Sequence, residues 1–300
     1  MAKIEHILMP TDFSESANQA LRYGVMLADK LGSVLTLFHV ICLHQDDRFS
    51  EEQHFPDLRE LYGKMEKNAI LKMDEFTFEY DNVQVNKLTI RGISPAEEIV
   101  NYALLNDVDL IVMGSHGRSG ITHFLIGSVA EKVVRHANCP VLTVAHQKQE
   151  MYSFPKLKSI LMPMDFSKYS KQALPYAFEL AEIFGASLKL LHVIDQRVHP
   201  SYYVMGEQSI FRVYPDLLDK SMAKLKEFVS DEIPEHIKAQ FHVREGNPYS
   251  EIVKFGKNDD IDLIVMATHG LSGLEKLLIG STTEKVVRKA DRPVFTVKAT

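Results

Sequence analysis

Gly114-Ser115-His116-Gly117-Arg118-Ser119-Gly120-Ile121-Thr122-His123-Phe124-Leu125-Ile126-Gly127-Ser128 is the stretch from which the chain is best read. An apolar run, 110–113, precedes it and a helix-period segment, 129–135, follows it. A buried strand that ends in glycines and hydroxyls just before a helix has the makings of a phosphate cradle. Glycine lets the backbone approach a ligand closely, and the free amide N–H groups of a helix N-terminus attract anions.

The block returns near the end of the chain as Ala267-Thr268-His269-Gly270-Leu271-Ser272-Gly273, closing on Ile279-Gly280-Ser281. Ile7-Leu8-Met9-Pro10-Thr11-Asp12-Phe13-Ser14 likewise returns as Ile160-Leu161-Met162-Pro163-Met164-Asp165-Phe166-Ser167, an offset of 153 (160 − 7). The second-strand run ending His39-Val40-Ile41 and the helical Glu131-Lys132-Val133-Val134-Arg135 recur at the same offset, in His192-Val193-Ile194 and from Glu284. The chain therefore reads as a tandem duplication. We expect one domain over 1–147 and a second over 155–300, divided by a polar stretch that contains Pro155.

Within each copy, short β-rich runs alternate with longer helical patterns. This predicts α/β architecture: two tandem open parallel five-stranded sheets with helices on both faces, Rossmann-like in plan. In copy one the strands are expected near 4–9, 33–41, 83–90, 109–113 and 140–145, and the helices near 15–31, 56–79, 95–105 and 128–137. Ser94, Pro95 and Glu97 predict an N-cap, a first helical position and a capping box for the third helix; Asn247 and Pro248 stand at the same place in copy two. The segments 42–56 and 195–215 diverge most and are expected to be variable loops, with Tyr202, Tyr203, Phe211 and Tyr214 either packing the second loop or covering a ligand or a partner.

Three hundred residues, 45% of them hydrophobic and 25% charged, suit two globular domains with ample core. A net charge of −6 argues against nucleic acid or an anionic membrane as the main partner. No apolar run approaches the roughly 18 residues of a membrane span, and the first residues lack a signal-peptide pattern, so a cytoplasmic protein is expected. Cys42 and Cys139 form no metal or redox motif and are read as reduced thiols.

In an open parallel sheet, ligands bind beyond the C-terminal ends of the strands, where the strand order switches. Pro10-Thr11-Asp12, Val40-Ile41 and the glycine block converge on that edge. There is no Gly-x4-Gly-Lys-(Ser/Thr), no Gly-x-Gly-x2-Gly after strand one and no His-Glu-x2-His, which argues against a P-loop ATPase, a dinucleotide site and that zinc site. His39 and His192 are expected to be satisfied locally, and Glu131 and Glu284 to complement helix dipoles.

The spacing Gly-x2-Gly-x9-Gly-Ser, with the Pro-x-Asp-Phe-Ser start and the His-Val after strand two, resembles the ATP-binding branch of the universal stress protein family in tandem form, over nearly the whole chain. The resemblance implies an adenine nucleotide alpha hydrolase-like fold and ATP as ligand, with Mg or Mn on the phosphates. It places Pro10, Thr11, Asp12, Val40, Met113, Gly114, Gly117, Gly127, Ser128 and Val129 around site one. Arg118 and His116 are candidate phosphate contacts there, each weighed against a purely local role. Site two would comprise Pro163, Asp165, Val193, Met266, Ala267, His269, Gly270, Gly280, Ser281 and Thr282. The resemblance also implies pairing of the last strands across a two-fold axis, here as an intramolecular pseudo-dimer, and leaves a homodimer of the whole chain open.

Copy two departs at Ala267 for Gly114, Met164 for Thr11 and Leu271 for Arg118. The added methyl group falls where the backbone was expected to approach the nucleotide or to adopt positive φ, and a hydroxyl and a charge are lost. Site two is therefore expected to bind more weakly, by about 1–3 kcal/mol if a charge-assisted hydrogen bond is absent. A nucleotide-dependent regulatory protein is the leading reading. A slow ATP hydrolase or phosphotransferase, against which stands the lack of an evident water-activating pair, and a ligand-free scaffold are the alternatives.

Overall fold

The computed structural model describes residues 3–42, 58–76, 82–117, 126–145, 155–195, 209–270 and 279–298. The chain divides into two compact units, Ala2–Pro155 and Lys156–Thr300.

Unit one contains β1 (His6–Pro10), α1 (Glu15–Leu31), β2 (Val34–Cys42), α2 (Leu58–Asp74), β3 (Val85–Gly92), α3 (Pro95–Leu105), β4 (Leu110–Gly114), α4 (Ser128–His136) and β5 (Val141–Val144). Unit two contains β6 (Ser159–Met164), α5 (Lys168–Phe184), β7 (Ser187–Asp195), α6 (Ile210–Val213), α7 (Asp216–Val229), β8 (Ala239–Gly246), α8 (Pro248–Asn258), β9 (Leu263–Ala267), α9 (Ser281–Lys289) and β10 (Val294–Val297). The strands run in the order β3-β2-β1-β4-β5 in unit one and β8-β7-β6-β9-β10 in unit two, with parallel pairs. This is the expected α/β class.

The chain steps outward from β1 to β3, then returns across β1 to β4 and β5. Right-handed crossovers in the two directions place α1 and α2 on one face and α3 and α4 on the other. Strands covered on both sides must be apolar throughout. Ile7, Leu8 and Met9 of β1 and Leu110, Ile111 and Val112 of β4 are fully buried, as are Ile160, Leu161 and Met162 of β6.

The first helices are well specified locally. Ser14 accepts a hydrogen bond from the Ala17 amide at 3.2 Å and Ser167 one from the Ser170 amide at 3.0 Å, so both cap their helices. Gly32 and Gly185 close those helices in the left-handed conformation, with φ of 68° and 62°.

The capping box expected at Ser94 is not formed. Pro95 takes the first helical position, but the Ser94 side chain makes no cap bond, and neither does that of Asn247. The Ser94 backbone has φ of −123° and ψ of 105°, against −74° and 162° at Ser14, where the cap bond forms. Of the variable loops, Tyr202 and Tyr203 lie outside the described residues; Phe211 falls in the short α6, and Tyr214 is 53% exposed.

Candidate functional site

The order switch falls between β1 and β4 in unit one and between β6 and β9 in unit two. Both candidate sites lie at the C-terminal ends of these strands.

In unit one, Pro10 closes β1 and the Thr11 amide donates to the Phe38 carbonyl at 2.8 Å. The next three residues form a tight turn. Asp12 Oδ1 accepts from the Ser14 amide and Thr11 Oγ1 from the Phe13 amide, each at 3.0 Å, and Phe13 takes φ of 65°. Unit two repeats the turn: Asp165 Oδ1 accepts from the Ser167 amide at 3.0 Å and Phe166 has φ of 62°. A non-glycine residue persists in this conformation only where its surroundings fix it. They do so here through a histidine. His39 Nδ1 donates to the Thr11 carbonyl at 2.7 Å, its ring 4.7 Å from that of Phe13; His192 repeats this on Met164 at 2.8 Å and Phe166 at 4.3 Å. Burial holds the His192 pKa below its ordinary value, against the opposing hydrogen bond to Met164. Both histidines thus pin the aspartate turn, the local role expected of them.

The glycine block is closed by one backbone bond in each unit: Gly127 N to the Ser115 carbonyl, and Gly280 N to the Thr268 carbonyl, both 2.7 Å. This bond brings the ends of the block together; a Cβ on Gly127 would lie 3.6 Å from the Gly117 nitrogen. The N-cap residues of α4 and α9, Gly127 and Gly280, carry no side chain to cap the first-turn amides, which suits those amides to an anion. Glu131 and Glu284 sit in those first turns, as the dipole expectation requires, and pair with Arg135 and Arg288 at 3.1 and 2.9 Å. His116 and His269 each bond the preceding hydroxyl through Nδ1, at 2.8 and 3.0 Å.

In unit two these elements enclose a cavity of about 580 Å³, within the usual range for a small-molecule site. Pro163 of β6 and Asp165 just after it, Val193 in β7, Met266 and Ala267 of β9, His269 and Gly270 of the block, and Gly280, Ser281 and Thr282 at α9 all line it. The sequence-derived set for site two is therefore gathered around one space. In unit one the counterparts Pro10, Asp12, Val40, Met113, Gly117, Gly127, Ser128 and Val129 hold equivalent places on the same elements. Arg118 and Leu271 lie outside the described residues.

Two of the differences between the copies have an internal explanation. Gly114 does not adopt positive φ, and a Cβ there would meet Ser16 Oγ at 2.5 Å and the Ser16 carbonyl carbon at 2.8 Å. Glycine is thus demanded by the first turn of α1. The exchange of Gly114 for Ala267 therefore bears on helix packing, and the positive φ expected at Gly114 is not found, while Ala267 itself lines the cavity. Similarly, Thr11 Oγ1 serves the Phe13 turn, so its replacement by Met164 removes an internal bond.

The universal stress protein family model matches residues 3–145 and again 156–298. The chain belongs to that family. A universal stress protein of Methanocaldococcus jannaschii is 31% identical over 144 residues, covering 48% of this chain and 84% of its own length. A relative from Synechocystis is 24% identical across 98% of this chain and all of its own. The crystal structure of a universal stress protein from Archaeoglobus fulgidus aligns with a TM-score of 0.71 at 23% identity, covering 99% of both chains, and shares the fold. Among the described residues no helix is long and apolar enough to cross a membrane.

Sequence reasoning missed several residues of this universal stress protein cavity. Asp195 at the end of β7, and Pro248 and Ile252 on α8, also line it. The Asn247-Pro248 helix start could have pointed to the latter pair, since it opens the helix that follows the neighbouring strand.

Proposed function

We propose that the chain is a cytoplasmic, ATP-binding regulatory protein of the stress response, with one adenine-nucleotide site in each repeat. The observation that carries this reading is the cavity of about 580 Å³ in unit two, bounded on one side by the glycine-capped N-terminus of α9 with Ser281 and Thr282. Amides and hydroxyls at that end suit phosphate, and the apolar Leu191, Val193 and Ile252 suit a base. Cys42 and Cys139, read as reduced thiols, fit a reducing compartment.

Mg or Mn belongs to the same proposal as a partner of the phosphates. Among the described residues no group of three or more His, Cys, Asp or Glu side chains could hold a metal ion. Phosphate oxygens and water would therefore supply most of its ligands, with Ser128 and Ser281 the protein hydroxyls best placed at the helix starts.

The second site is expected to be the weaker, from Leu271 in place of Arg118 and from the methyl group that Ala267 adds at the cavity wall. Denaturing the purified protein and chromatographing the released small molecules tests the whole reading. Adenine nucleotide is expected, as is a rise in Tm on adding MgATP, worth about 2.7 kcal/mol at a hundredfold excess over Kd. Protein that carries no nucleotide and gains no stability from MgATP would overturn it. Two sites of equal affinity in a titration would overturn the asymmetry.

A further inference from the structure

We propose that the surface where α8 meets α9 extends site two into a subsite for added negative charge, so that this site takes a nucleoside polyphosphate with a chain longer than three phosphates. This rests on the nucleotide reading above and deepens it. Lys285, Lys289 and Tyr249 form the subsite.

Helices α8 and α9 pack against each other. Both begin at the cavity, where Pro248 opens α8 and Ser281 and Thr282 open α9. Tyr249 follows Pro248 directly. On α9, Ser281, Lys285 and Lys289 are spaced four residues apart and are all exposed, so they form one stripe that leads from the cavity along the helix. At 1.5 Å per residue the two lysines stand about 6 and 12 Å beyond Ser281.

The stripe gathers its charges. The Lys285 ammonium lies 5.2 Å from the centre of the Tyr249 ring and the Lys289 ammonium 5.1 Å from it. Like charges four residues apart on a helix repel. The half-buried ring holds both in place through the negative potential of its face. The neighbouring acids are engaged elsewhere: Glu284 pairs with Arg288 at 2.9 Å, and Glu251 with Lys254 at 2.7 Å. Among the described residues no carboxylate forms an ion pair with Lys285 or Lys289. Two ammonium groups held at one ring without a counter-ion are poised for an anion, and an anion seated between them relieves their repulsion. The phosphate chain that the first turn of α9 would hold is the anion nearest to them.

In unit one, Lys132 and His136 follow Ser128 along the same stripe, and Ala96 stands where unit two has Tyr249 (249 − 153). The ring that gathers the charges at this position is thus a feature of unit two.

Adenosine 5′-tetraphosphate against ATP tests this. Two-site calorimetry on the full chain at fixed magnesium should find one class of site that prefers the tetraphosphate by about fivefold or more, a preference that falls as salt is raised. The double variant Lys285→Gln, Lys289→Gln and the single variant Tyr249→Ala should each lower that preference toward the ratio of the other class. Circular dichroism and Tm would verify that both variants stay folded. No preference in the unmodified protein, or an unchanged ratio in either variant, would overturn this inference while leaving nucleotide binding intact. An equal loss of affinity for both nucleotides in the double variant would overturn it too, because the lysines would then serve the cradle as a whole. Failure of the unmodified protein to bind either nucleotide would overturn the nucleotide reading and this inference with it.

Discussion

The Asp12 carboxylate lies directly against Gly117: a Cβ at that glycine would sit 3.0 Å from Asp12 Oδ2, and at Gly270 it would sit closer still to Asp165 Oδ2. The turn after the first strand and the glycine block after the fourth are thereby locked in one arrangement. Gly270→Ala should push Asp165 off its Ser167 amide and weaken nucleotide binding at site two by about 1–3 kcal/mol, with a smaller effect for Gly117→Ala at site one. Calorimetric titration of the two variants would check the order; equal and negligible effects would contradict the close packing.

Gly114 serves a different neighbour. Because its Cβ would collide with the backbone of Ser16, Gly114→Ala should destabilise the fold by about 1–3 kcal/mol. Ala267→Gly, where the methyl group is already accommodated, should cost no more than about 1 kcal/mol. Urea denaturation of both variants measures the contrast, and equal losses would refute the packing explanation.

The capping geometry separates residues that look alike in sequence. Ser14→Ala and Ser167→Ala should each cost about 1 kcal/mol, since both hydroxyls accept first-turn amides. Ser94→Ala and Asn247→Ala should be close to neutral, because neither side chain makes such a bond. Midpoints of chemical denaturation for the four variants provide the check.

Burial lowers the pKa of His192 and of His242 from the ordinary 6.5, with Lys224 and Lys189 respectively adding to the effect. The unfolded chain then holds the proton more readily, so stability rises with pH across this window. Their contribution is complete above about pH 6.5 and is lost as the pH falls through the lowered folded values. Tm should drop between pH 7 and pH 5, and His192→Gln should make the drop shallower. The same pH slope in that variant would remove His192 from the account.

Much of the fold was legible because its signals are local and are stated twice. Alternating apolar runs and helical patterns, repeated at 153 residues, define the α/β class in each half. Pro10-Thr11-Asp12 and Gly127-Ser128 announce themselves by glycine, proline and hydroxyls at element boundaries. Helix starts were legible for the same reason, but the capping box was not: the motif Ser94-x2-Glu97 is present, yet the Ser94 side chain makes no cap bond and its backbone departs from the angles of the capping Ser14.

The sequence by itself determined the duplication, the class of fold, and which segments meet at the C-terminal edge of each sheet. It displayed the glycine block with its departures and invited the reading that Ala267 spoils a cradle. Only the tertiary structure added that the glycine it replaces packs against the first turn of α1. Gly114 answers to Ser16, 98 residues earlier (114 − 16), and the cavity draws on Asp195 and Ile252, positions that no motif singled out. Propensity and periodicity act over a few neighbouring residues, whereas the room available for a methyl group, and the face an acid turns to a cavity, depend on how strands and helices far apart in the chain pack together.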